Sequence, residues 1–143
     1  MTTRTAACSC GQLRLDIEGE PARVSMCHCL ECQRRTGAVI SNQARFRPEQ
    51  ITASGKSTAW QRTADSGSVV TFHFCPTCGS TVYWTSESFP GFVVVAIGNF
   101  ALKRWIISRL FSQPLEITLA RRCHQIPRIE SSWHIAYRAL KIE

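Results

Sequence analysis

Cysteines are the residues with the clearest chemical meaning in this sequence. Seven of the eight fall into three short clusters, which are Cys8 with Cys10, Cys27 with Cys29 and Cys32, and Cys75 with Cys78. Thiolates at this density bind soft metal ions, and zinc is the usual ion in redox-silent sites made only of sulfur. Disulfides are the alternative, but the N-terminus lacks the apolar core of a secretory signal, so cysteine pairs are better explained as metal ligands.

The number of sulfurs predicts two different metal sites. Four thiolates complete one tetrahedral zinc site, which is then structural, whereas three leave one position open for water or a substrate thiol. We expect the two isolated pairs, Cys8/Cys10 and Cys75/Cys78, to hold the structural zinc. The triple cluster from one loop, Cys27, Cys29 and Cys32, would then form the site with an open position. The rival partition joins Cys75 and Cys78 to the triple cluster, but it places five thiolates around one metal ion.

The remaining candidate ligands have simpler explanations. In an extended C-x-C segment both sulfurs point to one side and the middle residue to the other, so His28 should point away from the metal. His73 lies within a strand pattern, and an ordinary position on a sheet face explains it. Cys123 has no partner at metal-ligand spacing and is interpreted as an incidental thiol.

Short strands separated by turns account for the first hundred residues. β-Branched and aromatic residues or an alternating pattern predict five strands, at Leu13–Ile17, Val39–Phe46, Val69–Phe74, Thr81–Trp84 and Phe92–Ile97. The segment Cys75–Gly79 between two of them resembles a zinc knuckle, a tight turn whose backbone N–H groups donate to sulfur and whose glycine adopts a left-handed conformation. The sequence therefore predicts a mainly β fold.

The pattern changes after residue 100. The chain of 143 residues fits one domain, which we divide into a zinc-binding β domain at 1–100 and a basic extension at 101–143. Apolar residues at helical spacing from Leu102 to Phe111 predict a short amphipathic helix that ends before Pro114. Of the formal charge of +7, residues 1–100 carry +2 and residues 101–143 carry +5. A solvated basic face explains this distribution better than a nucleic-acid site does.

Two features bear on location. No apolar run approaches the length of a membrane span, so we expect no membrane partner. Without a secretory signal, a cytoplasmic location is expected.

The cysteine motifs resemble those of a known family. The resemblance covers about residues 5–98 and includes the segments Cys8-x-Cys10-Gly11, Cys27-His28-Cys29-x-x-Cys32-x-Arg34-x-x-Gly37-Ala38, Phe74-Cys75-x-x-Cys78-Gly79 and Ala96-Ile97-Gly98. They are similar to the glutathione-dependent formaldehyde-activating enzymes, which share a domain with centromere protein V. The resemblance implies several small coiled antiparallel sheets held by the four-cysteine zinc site, with a second, catalytic zinc at the triple cluster. The chain departs from the family after Gly98, where Asn-Phe-Ala replaces x-Leu-Asp.

The family's activity suggests a function. The resemblance implies addition of the glutathione thiol to formaldehyde, which gives S-hydroxymethylglutathione, and classes the chain as a carbon–sulfur lyase. Arg34 or Arg35 could pair with a glutathione carboxylate. One alternative is a zinc-stabilised binding module that recruits a protein or nucleic acid through the basic extension, and another is a thiol redox sensor.

Overall fold

The computed structural model describes residues 3–100, which form nine strands, one α-helix and two short 3-10 helices. The strands are β1 (Thr3–Ala7), β2 (Arg14–Glu18), β3 (Arg23–Cys27), β4 (Ser41–Phe46), β5 (Ile51–Ser54), β6 (Thr58–Thr63), β7 (Val69–Phe74), β8 (Thr81–Ser86) and β9 (Val93–Ala96). The helix α1 is Leu30–Thr36, and the 3-10 helices are Pro48–Gln50 and Ile97–Phe100.

The strands form two antiparallel sheets. The smaller sheet has the order β1-β2-β5 and the larger has the order β3-β4-β9-β8-β7-β6. In β2, Leu15 and Ile17 are buried while Arg14 and Glu18 are exposed, so the small sheet has one buried and one solvated face. β8 shows the same alternation, with Val82 buried.

One hydrophobic core joins the two sheets. Leu15 and Ile17 of β2 are fully buried in the same cluster as Phe46 of β4 and Val95 of β9. Burying a side chain of this size contributes roughly 1.5–3 kcal/mol, so the contact between the sheets is a main source of stability. Cys8 and Cys75 belong to this core as well, which places their sulfurs at the junction of the sheets.

The prediction of a mainly β fold with small antiparallel sheets is confirmed. β7 has the predicted bounds. β4 begins at Ser41 rather than Val39, because the apolar side chains of Val39 and Ile40 are exposed instead of packing on a sheet face. The helix α1 was not predicted, because none of its residues is fully buried and it therefore carries no apolar stripe.

Other expectations concern the remainder of the chain. The helix predicted at 102–111 and the basic extension at 101–143 lie outside the described residues, so the division into domains stays a prediction. Among residues 3–100, no helix is long and apolar enough to cross a membrane.

Candidate metal centres

The fold brings four sulfurs together from two distant loops. Cys8 and Cys10 lie in the loop after β1, and Cys75 and Cys78 lie in the turn between β7 and β8. All four sulfur atoms lie within 4.8 Å of one another, with 3.5 Å between the sulfurs of Cys8 and Cys10 and 3.6 Å between those of Cys10 and Cys75. A tetrahedral zinc ion with bonds of about 2.3 Å needs sulfurs about 3.8 Å apart. The four-sulfur cluster could therefore hold a metal ion such as zinc.

The turn that carries Cys75 and Cys78 has the geometry of a knuckle. The N–H of Thr77 donates to Cys75 Sγ at 3.4 Å, and the N–H of Gly79 donates to the carbonyl oxygen of Cys75 at 2.9 Å. Gly79 has a φ of +73°, a left-handed conformation that side chains other than glycine rarely adopt. The predicted tight turn with donation to sulfur is confirmed.

Gln12 links this cluster to a neighbouring turn. Its Nε2 donates to Cys75 Sγ at 3.0 Å and to the carbonyl oxygen of Lys56 at 2.7 Å, while its Oε1 accepts from the N–H of Lys56 at 2.9 Å. Gly55 makes this approach possible, because a Cβ there would lie 1.8 Å from the carbonyl oxygen of Gln12. No sequence pattern marks Gln12, since its role depends on a contact with residues far along the chain.

The second cluster comes from one continuous segment. Cys27 ends β3, Cys29 is the N-cap of α1 in an extended conformation, and Cys32 lies in the first turn of the helix. The three sulfurs lie within 4.8 Å of one another, with 3.5 Å between Cys27 and Cys29. The N–H of Cys32 donates to Cys29 Sγ at 3.4 Å. The three-sulfur cluster thus supplies three ligands for a metal ion, and the described residues bring no fourth His, Cys, Asp or Glu to it.

The protonation of the sulfurs shows why a metal ion suits both clusters. A hydrogen bond from Cys32 lowers the pKa of Cys27 to about 5, and the same contact with Cys27 raises the pKa of Cys32. In the four-sulfur cluster, a hydrogen bond with Ser80 lowers the pKa of Cys78 to about 5. Adjacent thiolates repel, so one sulfur ionises while its neighbour retains a proton. A divalent metal ion removes this repulsion and lets all the sulfurs ionise.

Cys10 illustrates the same repulsion. Its backbone hydrogen bond with Gln12 lowers the pKa, but the neighbouring sulfurs of Cys8, Cys75 and Cys78 raise it together with burial, and the pKa reaches about 12. Without a metal ion this thiol keeps its proton at neutral pH.

Neither His28 nor His73 contributes a ligand atom to the two clusters. His28 is not among the groups whose ligand atoms converge, as expected for the middle residue of an extended C-x-C segment. Its Nδ1 is buried and has no hydrogen-bond partner within residues 3–100. His73 stacks on Tyr83 with ring centroids 4.4 Å apart, which agrees with a position on a sheet face. Cys123 lies outside the described residues.

Arg34 and Arg35 have very different surroundings. Arg34 is exposed, and its Nη1 donates to Glu31 at 2.6 Å. Arg35 is half-buried, and its Nη2 donates to Ser41 Oγ at 2.8 Å. Burial lowers the pKa of Arg35, although attraction to Cys32 opposes the effect. Of the two side chains, that of Arg34 is the more exposed to solvent.

Two hollows are lined by Arg35. The larger has a volume of about 510 Å³ and is lined by Cys78 of the four-sulfur cluster and by polar groups that include Ser41, Asn42 and Asn99. The smaller has a volume of about 240 Å³ and is lined by Glu31, Arg34, Arg35, Trp60 and Arg62. Three guanidinium groups and one carboxylate give the smaller hollow an excess of positive charge, which favours anionic groups.

Comparison with known proteins identifies the family. A sequence model of the glutathione-dependent formaldehyde-activating enzymes matches residues 3–110, well over half of the chain. The chain belongs to this family. The resemblance carried by the cysteine motifs is thereby confirmed.

A solved structure supports the fold of this glutathione-dependent formaldehyde-activating family member. It is a crystal structure of a Rhodobacter sphaeroides protein with 21% sequence identity and a TM-score of 0.57, and the match covers 78% of this chain and 98% of that chain. No curated protein matches the chain. The individual roles of the cysteines and arginines stay predictions.

Proposed function

We propose that the chain is a zinc-dependent carbon–sulfur lyase acting on a thiol–aldehyde adduct of the S-hydroxymethylglutathione type. Membership of the glutathione-dependent formaldehyde-activating family supports glutathione and formaldehyde as the reacting classes. The observation that carries the proposal is the convergence of three sulfurs, those of Cys27, Cys29 and Cys32, at the start of the helix α1, three residues of which line the smaller hollow. The four-sulfur cluster is proposed to hold a second, structural zinc.

In the proposed reaction one carbon–sulfur bond forms or breaks. In the forward direction the thiol sulfur bonds to the aldehyde carbon, and the thiol proton passes to the aldehyde oxygen, which becomes a hydroxyl. The reverse direction breaks the carbon–sulfur bond and restores the thiol and the aldehyde. Zinc at the three-sulfur cluster would supply a Lewis acid that favours the thiolate form of the substrate.

The protein's own residues hold and orient the partners. The three sulfurs would hold the metal ion, and the hydrogen bond from the N–H of Cys32 to Cys29 Sγ fixes two of them relative to each other. Arg34 and Arg62 line the smaller hollow and are placed to bind a carboxylate of a glutathione-like substrate. Binding of this carboxylate, which lies at a distance from the thiol within the substrate, would position the thiol. Arg35 was also predicted to contact the carboxylate, but its half-buried guanidinium suits a different role.

Cys29→Ser tests the catalytic role of the cluster. We expect loss of turnover, measured as exchange between formaldehyde and its glutathione adduct by NMR, because one metal ligand is removed. The circular dichroism spectrum should stay unchanged, because Cys29 belongs to the cluster that does not join the sheets. Cys123→Ser is the matched control, since Cys123 is interpreted from the sequence as an incidental thiol and its replacement should keep full activity. Wild-type turnover in Cys29→Ser would refute the proposed site.

Native mass spectrometry tests the metal stoichiometry independently. Two bound zinc ions, of which one is lost readily and is perturbed by glutathione, would support the lyase. A single tightly held zinc that ignores glutathione would contradict it and would favour the alternative of a zinc-stabilised binding module.

A further inference from the structure

Arg35 is a half-buried cation without a carboxylate partner among residues 3–100. Its guanidinium carbon lies 4.6 Å from the ring centroid of Trp84 and 5.0 Å from that of Phe72. Nη2 donates to the hydroxyl of Ser41, which is itself buried. Nε is buried and has no hydrogen-bond partner within the described chain. Because burial of an unpaired charge is costly, a negative group would stabilise this guanidinium beyond the attraction of the two aromatic faces.

The three-sulfur cluster is a negative group close to Arg35, whereas Glu31, a carboxylate of the same helix, pairs with Arg34. Arg35 follows Cys32 by three positions on α1, so the two side chains lie on the same face of the helix. Cys32 is one of the three converging sulfurs, so this face of α1 carries both a sulfur of the cluster and the guanidinium.

The four-sulfur cluster is stabilised in a different way. Its described donors are neutral: the N–H of Leu13 donates to Cys8 Sγ at 3.3 Å, that of Thr77 donates to Cys75 Sγ, and the Gln12 amide donates to Cys75 Sγ as well. By contrast, the three-sulfur cluster has a cationic side chain three positions along α1 from one of its sulfurs.

We propose that Arg35 is a positioning residue that supplies the counter-charge of the three-sulfur cluster. Three thiolates and one zinc ion carry one net negative charge, which the guanidinium neutralises. When a substrate thiolate binds to the zinc ion, the site then carries one net negative charge. Without the guanidinium it would carry two. The proposal rests on the proposed function, because it requires a metal ion at this cluster. It gives Arg35 and Arg34 different roles, since the exposed guanidinium of Arg34 contacts the substrate carboxylate.

Zinc affinity measured by competition with a chromophoric chelator tests the proposal. Partners that orient metal ligands typically contribute 10–100-fold to metal affinity, so we expect Arg35→Gln to weaken the second zinc by roughly that factor. Arg35→Lys should restore most of the affinity, because it keeps the charge. Arg34→Gln is the matched control, since it removes the adjacent guanidinium and should leave zinc affinity unchanged. The four-sulfur site is an internal control whose affinity should stay constant in all variants.

A purely structural role for Arg35 would give a different result. Arg35→Met keeps a long side chain between Phe72 and Trp84 but removes the charge, so it should weaken the second zinc as much as Arg35→Gln does. Wild-type affinity in Arg35→Met would show that packing alone matters and would overturn the proposal. The sulfur-to-metal charge-transfer band of the cobalt(II) protein provides a second readout, which should diminish in Arg35→Gln at limiting cobalt and recover in Arg35→Lys.

The same titrations separate the two proposals. A wild-type chain that binds only one zinc ion would refute the second metal site, and the role of Arg35 with it. A wild-type chain that binds two zinc ions, with unchanged affinity in Arg35→Gln, would refute the counter-charge and leave the lyase proposal standing.

Discussion

Cys78→Ser and Cys32→Ser each remove one sulfur from a cluster, but they should differ in their effect on stability. Cys78 is exposed and Cys32 is half-buried. If side-chain packing alone decided stability, replacement of Cys32 would therefore be the more damaging. If metal cross-links decide it, the order reverses, because the four-sulfur cluster joins the two sheets whereas the three-sulfur cluster joins neighbours in sequence.

The size of the difference in stability follows from the length of the chain segment that each metal cross-link closes into a loop. Cys10 and Cys75 are 65 residues apart, while Cys27 and Cys32 are five positions apart. The entropy of loop closure grows as (3/2)RT ln n, so the longer loop gains about 2 kcal/mol more from its cross-link. For a domain of about 100 residues, 1 kcal/mol shifts Tm by about 4–8 °C. We expect Cys78→Ser to melt about 10 °C below Cys32→Ser.

Thermal unfolding of both variants, loaded with zinc and followed by circular dichroism, measures this difference. The control is the same experiment in the presence of a strong chelator. Without metal the difference in Tm should disappear, or Cys78→Ser should become the more stable variant. Equal melting temperatures of the zinc-loaded variants would refute the assignment of the four-sulfur cluster as the structural cross-link.

Two further predictions concern backbone packing and thiol reactivity. Gly55→Ala should destabilise the protein by about 1–3 kcal/mol in chemical denaturation, because its Cβ would collide with the carbonyl oxygen of Gln12. Gly67→Ala has a similar positive φ but nothing within 4 Å, so an equal loss there would show that strain rather than collision is responsible. In the metal-free protein at pH 7, iodoacetamide should label Cys27 and Cys78 first, since each has a pKa of about 5 and the thiolate is the reactive form. Labelling should slow as the pH falls through about 5, and peptide mapping that finds Cys10 labelled first would contradict the protonation scheme.

The sequence predicts the parts of the molecule whose chemistry is local. β7 has the predicted bounds because a run of β-branched and aromatic residues precedes a recognisable turn. The sulfurs group as predicted, because the numbers of ligands that zinc accepts allow few partitions. β6 was not predicted, because it is an edge strand with mostly exposed residues and thus lacks a burial pattern. The roles of Gln12 and Arg62 depend on strand pairing between distant segments, which spacing along the chain does not reveal.

Two C-x-C pairs with the same spacing serve different clusters because different structures follow them. After Cys10 the chain turns directly into β2, so this pair must obtain its other ligands from the distant turn at Cys75. After Cys29 the chain enters α1, which supplies Cys32 one turn later.

This origin from one segment has a consequence for metal exchange. The three sulfurs lie within a single stretch that runs from the end of β3 into α1, so release of their metal ion would leave the pairing of β3 with β4 intact. Two residues of the four-sulfur cluster, Cys8 and Cys75, lie instead within the core that joins the sheets, so release of a metal ion there would loosen the contact between them. A metal ion that must admit a substrate thiol is therefore better placed at the three-sulfur cluster. Because residues three apart share a helix face, the same short helix also brings Arg35 to that cluster, so one element supplies both the last ligand and its counter-charge.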